Sequence, residues 1–192
     1  KMVFVNQNLE IYVDLASDDN RSNFSDLIAH WDHTLGYQIG LNKIDYFKKY
    51  SIFYSIDYLS TRISNTYNPL FFRGDPNSLN YYNNYYYDYY TYQGRRMGAH
   101  SGSSSDDFYF LLGLNSNNSS VYYFSLNKER HGLKYTNYPE VKNEIHFTYI
   151  KNKNNHSLSL SFEYEVIKNF GFIKNESSNS RFIWLGYSFS IR

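Results

Sequence analysis

The 192-residue sequence contains no cysteine. This excludes disulfides, thiolate zinc sites and cysteine nucleophiles, and it suits a protein without bridges in an oxidising compartment such as a periplasm. An excess of charge of one sign is also missing: 19 Lys and Arg against 18 Asp and Glu leave a formal net charge of +1. No global field therefore points to nucleic acid or an anionic membrane surface, and nucleic acid is set aside as a partner. Nowhere is there a run of about 18 apolar residues, so a transmembrane helix is excluded. The mean hydropathy of -0.63 does not exclude a membrane β-barrel, whose strands hide an apolar half by alternation. The first residues carry no charged segment followed by an apolar one. Any signal peptide is therefore expected to have been removed or to lie upstream, and the chain is read as a mature protein or a fragment.

What the chain has in abundance is aromatic side chains, 23 Tyr, 15 Phe and 2 Trp. Many fall at alternate positions. Leu9, Ile11, Val13 and Leu15 share one face of residues 8–15, and Tyr37, Ile39 and Leu41 recur in the same way over 34–42. The pattern continues over 51–63, 107–115, 120–127 and 143–151. It is clearest over 157–166, where Leu158, Leu160, Phe162 and Tyr164 oppose Ser157, Ser159, Ser161 and Glu163, and over 182–192. About eight strands result, each near the ~9–11 residues that a tilted strand needs to cross a bilayer.

The connections alternate in length along the chain. Residues 16–33, 64–106, 128–142 and 167–181 are long, whereas 43–50, 116–119 and 152–156 are short. All long connections then lie at one end of the strands, as in outer-membrane barrels with short periplasmic turns and long extracellular loops. The expected fold is all-β, an antiparallel up-and-down transmembrane β-barrel, with residues 1–192 forming a single barrel domain or the C-terminal portion of a larger one. A soluble sandwich, or an up-and-down barrel with an apolar lumen, is the competing fold. It is disfavoured by a second face rich in Gly, Ser, Asn, Gln and acids rather than mixed with Lys and Arg. Tyr37, Tyr50, Tyr54, Tyr58, Tyr122, Tyr149 and Tyr187 suit aromatic girdles at the two interfaces. The acids Glu10, Asp14, Asp57, Glu144, Glu163 and Glu165 on the inner face require partners, and Arg95 and Arg96 are expected to fold inward and supply them.

Residues 64–106 are too long for a structureless connection, and a functional extracellular or lumen-folded loop is expected. Its Tyr/Asn-rich stretch 80–92 offers flat rings beside amide acceptors, a combination suited to sugar rings; coding bias in an AT-rich genome is the plainer explanation. Three glycines follow closely, but no strand precedes them and they lead into a strand, so a phosphate-binding loop is excluded. The stretch Tyr92, Gly94, Arg95, Gly98, His100, Gly102 and Asp106, with its Tyr-rich lead-in and following alternating strand, resembles the capsule assembly protein Wzi family of outer-membrane proteins. The order agrees too, with Leu15, Ala16 and Asp18 at an upstream strand end and Phe162, Glu163 and Tyr164 in the strand before last. The resemblance implies the C-terminal part of a larger barrel in the bacterial outer membrane. It further implies a lectin-like, non-catalytic role in anchoring capsular or extracellular polysaccharide.

Taken with the loop composition, the expected ligand-binding residues are Tyr85, Tyr87, Tyr89, Tyr92, Arg95, Arg96, His100 and Asp106. No metal or cofactor is expected, and the two His beside Asp32, His30 and His33, read as a solvated cluster. Partners are polysaccharide, outer-membrane lipid and, during biogenesis, the barrel-assembly machinery. Two alternatives stand beside this: a small pore or structural barrel, since about eight strands can close, and a surface hydrolase using His100, Asp106, Asp107 and the serines between them.

Overall fold

The computed structural model describes residues 1–17, 35–62, 91–92, 95–96, 104–116, 119–133 and 136–190. Eight long strands carry the fold: β2 (Leu9–Ser17), β3 (Leu35–Tyr46), β4 (Tyr50–Ser60), β7 (Asp106–Ser116), β8 (Ser120–His131), β9 (Glu140–Lys153), β10 (His156–Lys168) and β11 (Ser177–Phe189). A short β1 (Met2–Phe4) precedes them, and β5 (Thr91–Tyr92) with β6 (Arg95–Arg96) forms a separate two-stranded hairpin. The main sheet is antiparallel throughout in the order β1-β2-β3-β4-β7-β8-β9-β10-β11. Every neighbour in space is therefore the next long strand in sequence, the up-and-down connectivity that alternating loop lengths demand. Among the described residues no pairing joins β2 to β11, so the sheet is open at both sides.

Alternation sorts the residues cleanly. One face, called outward here, carries Phe108, Phe110, Leu112 and Leu114 on β7, level with Lys128, Leu126, Phe124 and Tyr122 on β8. Large side chains on this face stay exposed: Ile183 is 71% and Leu185 69% accessible. A soluble domain would bury such a surface against a second layer; this sheet has none among the described residues. Along β7 the apolar stretch lies between Asp106 and Ser116, and ten residue steps span ~34 Å, or ~26 Å at a tilt of ~40°. That matches the ~25 Å apolar band of membrane barrels. Tyr122 and Tyr149 meet in a tilted pair near one end of it, with ring centroids 5.0 Å apart, and Tyr37 and Tyr58 meet at 6.0 Å near the other.

The opposite, inner face is polar and hydrogen-bonded. Asp57 accepts from the Tyr12 hydroxyl, from Gln38 Nε2 at 3.2 Å and from Ser55 Oγ at 3.2 Å. Gly40 permits this, because a Cβ there would collide with the Tyr12 ring and the Asp57 carboxylate. Thr148 Oγ1 lies 2.9 Å from Ser161 Oγ and 3.0 Å from His146 Nε2.

Strand positions agree with the alternation, but several strands run further than expected at the long-loop rim. β8 continues to His131, β9 begins at Glu140 and β11 begins at Ser177. This gives the acid-rich inner face one cation of its own. Lys142, expected in a loop, lies on the inner face of β9, where its Nζ bridges Glu144 Oε2 at 2.9 Å and Glu165 Oε2 at 3.0 Å. Glu10 is taken by Lys1 at 2.9 Å, just before β1, while Asp57, Glu144 and Glu165 find partners on the strands themselves.

Candidate functional site

The long-loop rim is where the structure concentrates buried polar groups. Beyond the last ladder pair of β4 and β7, the chain stays paired: Thr61 N–H donates to Ser105 O at 3.0 Å, Ser104 N–H to Thr61 O at 3.1 Å and Leu133 N–H to Ser104 O at 3.0 Å. Thr61 Oγ1 and Ser105 Oγ are 2.9 Å apart. Ser60, Thr61, Ser104 and Ser105 are the most deeply buried side chains described, none more than 1% accessible. Below them Asp106 receives the Arg130 guanidinium in a two-point pair, Nε to Oδ1 at 2.7 Å and Nη2 to Oδ2, with Arg62 Nη1 3.9 Å away. These residues clamp both ends of the 63–103 segment to three strands, so the loop leaves the sheet from a fixed base.

Of the expected ligand-binding residues, Asp106 belongs to that base, and at 3% accessible its carboxylate is engaged by Arg130. Tyr92, Arg95 and Arg96 are placed by their backbone in the β5–β6 hairpin, Thr91 opposite Arg96 and Tyr92 opposite Arg95. Two short antiparallel strands thus pair within the long loop. Tyr85, Tyr87, Tyr89 and His100 lie outside the described residues, as do the side chains of Tyr92, Arg95 and Arg96 and the cluster His30, Asp32 and His33. In the described part of the alternative hydrolase segment, Ser104, Ser105 and Asp106 make bracing contacts, and Asp107 is buried in the ladder between Leu59 and Glu129. Among the described residues no group of three metal-ligating side chains occurs.

A second feature of the same rim was not anticipated. The connections 132–139 and 169–176 are clipped together. Asn169 Nδ2 donates to Pro139 O at 2.9 Å and Gly171 N–H to Glu140 Oε2 at 2.9 Å. Lys174 Nζ sits 5.4 Å from the Tyr138 ring centroid, a cation–π distance. Phe172 has φ 63, a left-handed conformation that costs an aromatic residue about 1–3 kcal/mol, and its ring crowds Gly132. The outcome is a braced platform that leaves Tyr138, Phe170 and Phe172 exposed at 39%, 47% and 47%. Its signal in the sequence was Phe170-Gly171-Phe172, apolar rings in a connection where alternation had already stopped.

No protein-family model matches the sequence, and no curated protein matches it. A solved structure does: Wzi of Escherichia coli, described as an outer membrane protein involved in group 1 capsule assembly and a carbohydrate-binding β-barrel, superimposes with a TM-score of 0.64 at 14% identity. The match covers 95% of this chain and 37% of that protein. The fold is Wzi-like. The chain thus has the fold of part of a Wzi-like barrel wall, spanning about 37% of that protein's length. An open sheet with two unpaired sides is what such a part contains. In this Wzi-like wall, the clamped loop base and the aromatic platform lie at the same rim.

Proposed function

We propose that the chain forms part of a larger outer-membrane β-barrel that binds and anchors capsular or extracellular polysaccharide at its long-loop rim without catalysing a reaction. The observation that carries this is the pairing of an apolar outward band of bilayer height with a rim that presents braced, exposed rings: Tyr138, Phe170 and Phe172. Sugar rings offer C–H faces that stack on such rings, while hydroxyls take up neighbouring amides and charges. The carbohydrate binding described for Wzi supports the reading at the level of fold, and the Tyr/Asn-rich stretch with Tyr85, Tyr87, Tyr89 and Tyr92 supplies further rings just upstream of Arg95 and Arg96 in the sequence. Asp106 serves this site as its brace. Lipid and, during insertion, the barrel-assembly machinery are the other partners.

Retention of fluorescent capsular polysaccharide by cells displaying the protein tests this. Replacing Tyr85, Tyr87, Tyr89 and Tyr92 with Ser, or Phe170 and Phe172 with Ser, is expected to lower retention at least about fivefold, since stacked rings contribute about 0.5–1.5 kcal/mol each. Heat-modifiable gel mobility should stay unchanged in both variants. Undiminished retention in both would overturn the proposal. The polar inner face favours a pore as the second reading, which solute flux through reconstituted protein without polysaccharide retention would support.

A further inference from the structure

A net charge of +1 conceals a sorting of charge between the two faces of the sheet. The inner positions of the strands hold Glu10, Asp14, Asp57, Asp107, Glu129, Glu140, Glu144, Glu163 and Glu165 against Lys142 as their one Lys or Arg among the described residues. The outward face at the long-loop rim is the reverse. Register places Lys128 beside Phe108 and Asn143, Arg130 beside Asp106 and Val141, Lys168 beside Val141 and Ser177, and Arg181 beside Tyr164. Arg62, just beyond the end of β4, extends the row and is 55% accessible. Among the described strand residues the one acid facing outward at this rim is Asp106, buried and taken by Arg130. Lys128 and Lys168 enter no ion pair among the described residues.

The position of these cations matters as much as their number. Each lies on the face that carries the apolar band and near the band's edge: Phe108, Leu126, Ile145 and Ile183 are its last Leu, Ile or Phe side chains on β7, β8, β9 and β11, with the smaller Val141 and Val166 set among the cations. Charges on lipid-facing strands are costly at mid-bilayer and cost little near the interface, and Lys and Arg stems lie along apolar surface while their heads reach polar ground. A solvated rim of a soluble domain would mix both signs. Here the guanidinium of Arg181 lies 5.6 Å from the Tyr164 ring, and Asn143 and Asn179 flank the cations with amide donors.

We propose that the outward face of the long-loop rim, built on Lys128, Arg130, Lys168 and Arg181 with Arg62 beside them, binds the phosphates of lipid headgroups in the facing leaflet. This rests on the membrane reading above and adds a ligand class and a surface separate from the polysaccharide platform. Each cation near an anionic surface strengthens binding several-fold, in a manner that salt screens.

Full-length protein in nanodiscs, stripped with mild detergent and examined by native mass spectrometry, tests it. The probes are diphosphoryl lipid A, monophosphoryl lipid A and phosphatidylcholine. Wild-type protein should retain them in that order, with retention falling as KCl rises. The triple variant Lys128→Gln, Lys168→Gln, Arg181→Gln should lose at least about tenfold of its diphosphoryl lipid A. The matched Arg variant at Lys128 and Lys168 should keep it. Equal retention of phosphorylated and zwitterionic lipid by the wild type would overturn the proposal, as would full retention by the triple Gln variant or displacement of the lipid by millimolar inorganic phosphate. Protein that inserts normally yet shows no phosphate preference sinks this proposal alone; protein that fails to insert in any lipid sinks the membrane reading with it.

Discussion

At the scale of single residues, the rim is organised by one acid. Asp106 is 3% accessible, while the Arg130 side chain that grips it is 41% accessible. The two halves of the pair are therefore unequal. Arg130→Ala leaves a buried carboxylate with Arg62 at 3.9 Å as its remaining cation, whereas Asp106→Asn leaves a guanidinium that water can reach. Removing one partner of a fully buried pair costs about 3–5 kcal/mol, and partial exposure of Arg130 lowers this to about 2 kcal/mol. Urea unfolding in liposomes should show Arg130→Ala losing clearly more stability than Asp106→Asn, and the opposite order would mean that the pair is not the brace described here. Loss of the brace also frees the base of the long loop, so proteolysis within 63–103 should quicken in Arg130→Ala.

Among elements, the alternation of apolar side chains made all eight long strands legible, because a sheet whose outward face is apolar cannot conceal period 2. The strand ends at the long-loop rim were not legible. Over Lys128–His131, Glu140–Lys142 and Ser177–Arg181 the backbone stays paired while both faces turn mostly polar, so the hydrophobic pattern stops before the hydrogen bonds do. The pattern therefore puts Lys142 in a loop and leaves the acids it serves in want of a cation from elsewhere, such as Arg95 and Arg96. β1 was missed because three residues carry no period. Of the binding site, the loop composition pointed to the rim, but the Phe170 and Phe172 platform depends on clips between two connections that no local pattern reveals. The role of Lys142 is testable. Glu144 and Glu165 face each other across β9 and β10, and Lys142→Met leaves two like charges side by side, at a cost of about 1–3 kcal/mol. Adding Glu165→Gln to that variant should recover part of the loss. A double-mutant cycle with a coupling of about 0.5–3 kcal/mol is expected for residues in one network, and simple additivity would show that the bridge contributes nothing.

For the molecule as a whole, the decisive feature is the pair of open sides. Unpaired backbone groups are not tolerated facing hydrocarbon, so in a membrane β2 and β11 must each be covered. Eight long strands could close on themselves, and the direction of β11 would even suit an antiparallel junction with β2. Two observations favour further strands between them. β1 already pairs with β2 at Leu9, Glu10 and Ile11, occupying the side that β11 would need, and the Wzi-like match covers 37% of the neighbouring structure's chain. With no cysteine among these 192 residues, thiols introduced on these strands have no native partner within the sheet. Val13 on β2 and Ile183 on β11 both face outward and are exposed at 52% and 71%. A disulfide needs Cα atoms within about 7 Å, a distance met only if the two strands are neighbours. In the membrane-inserted full-length protein, Val13→Cys with Ile183→Cys should give no intramolecular crosslink under oxidation, while a control pair on neighbouring strands, Leu160→Cys with Leu185→Cys, which lie opposite each other in register, should crosslink. Efficient crosslinking of Val13→Cys to Ile183→Cys would mean that the eight strands close as a small barrel, and the larger-barrel proposal would fall.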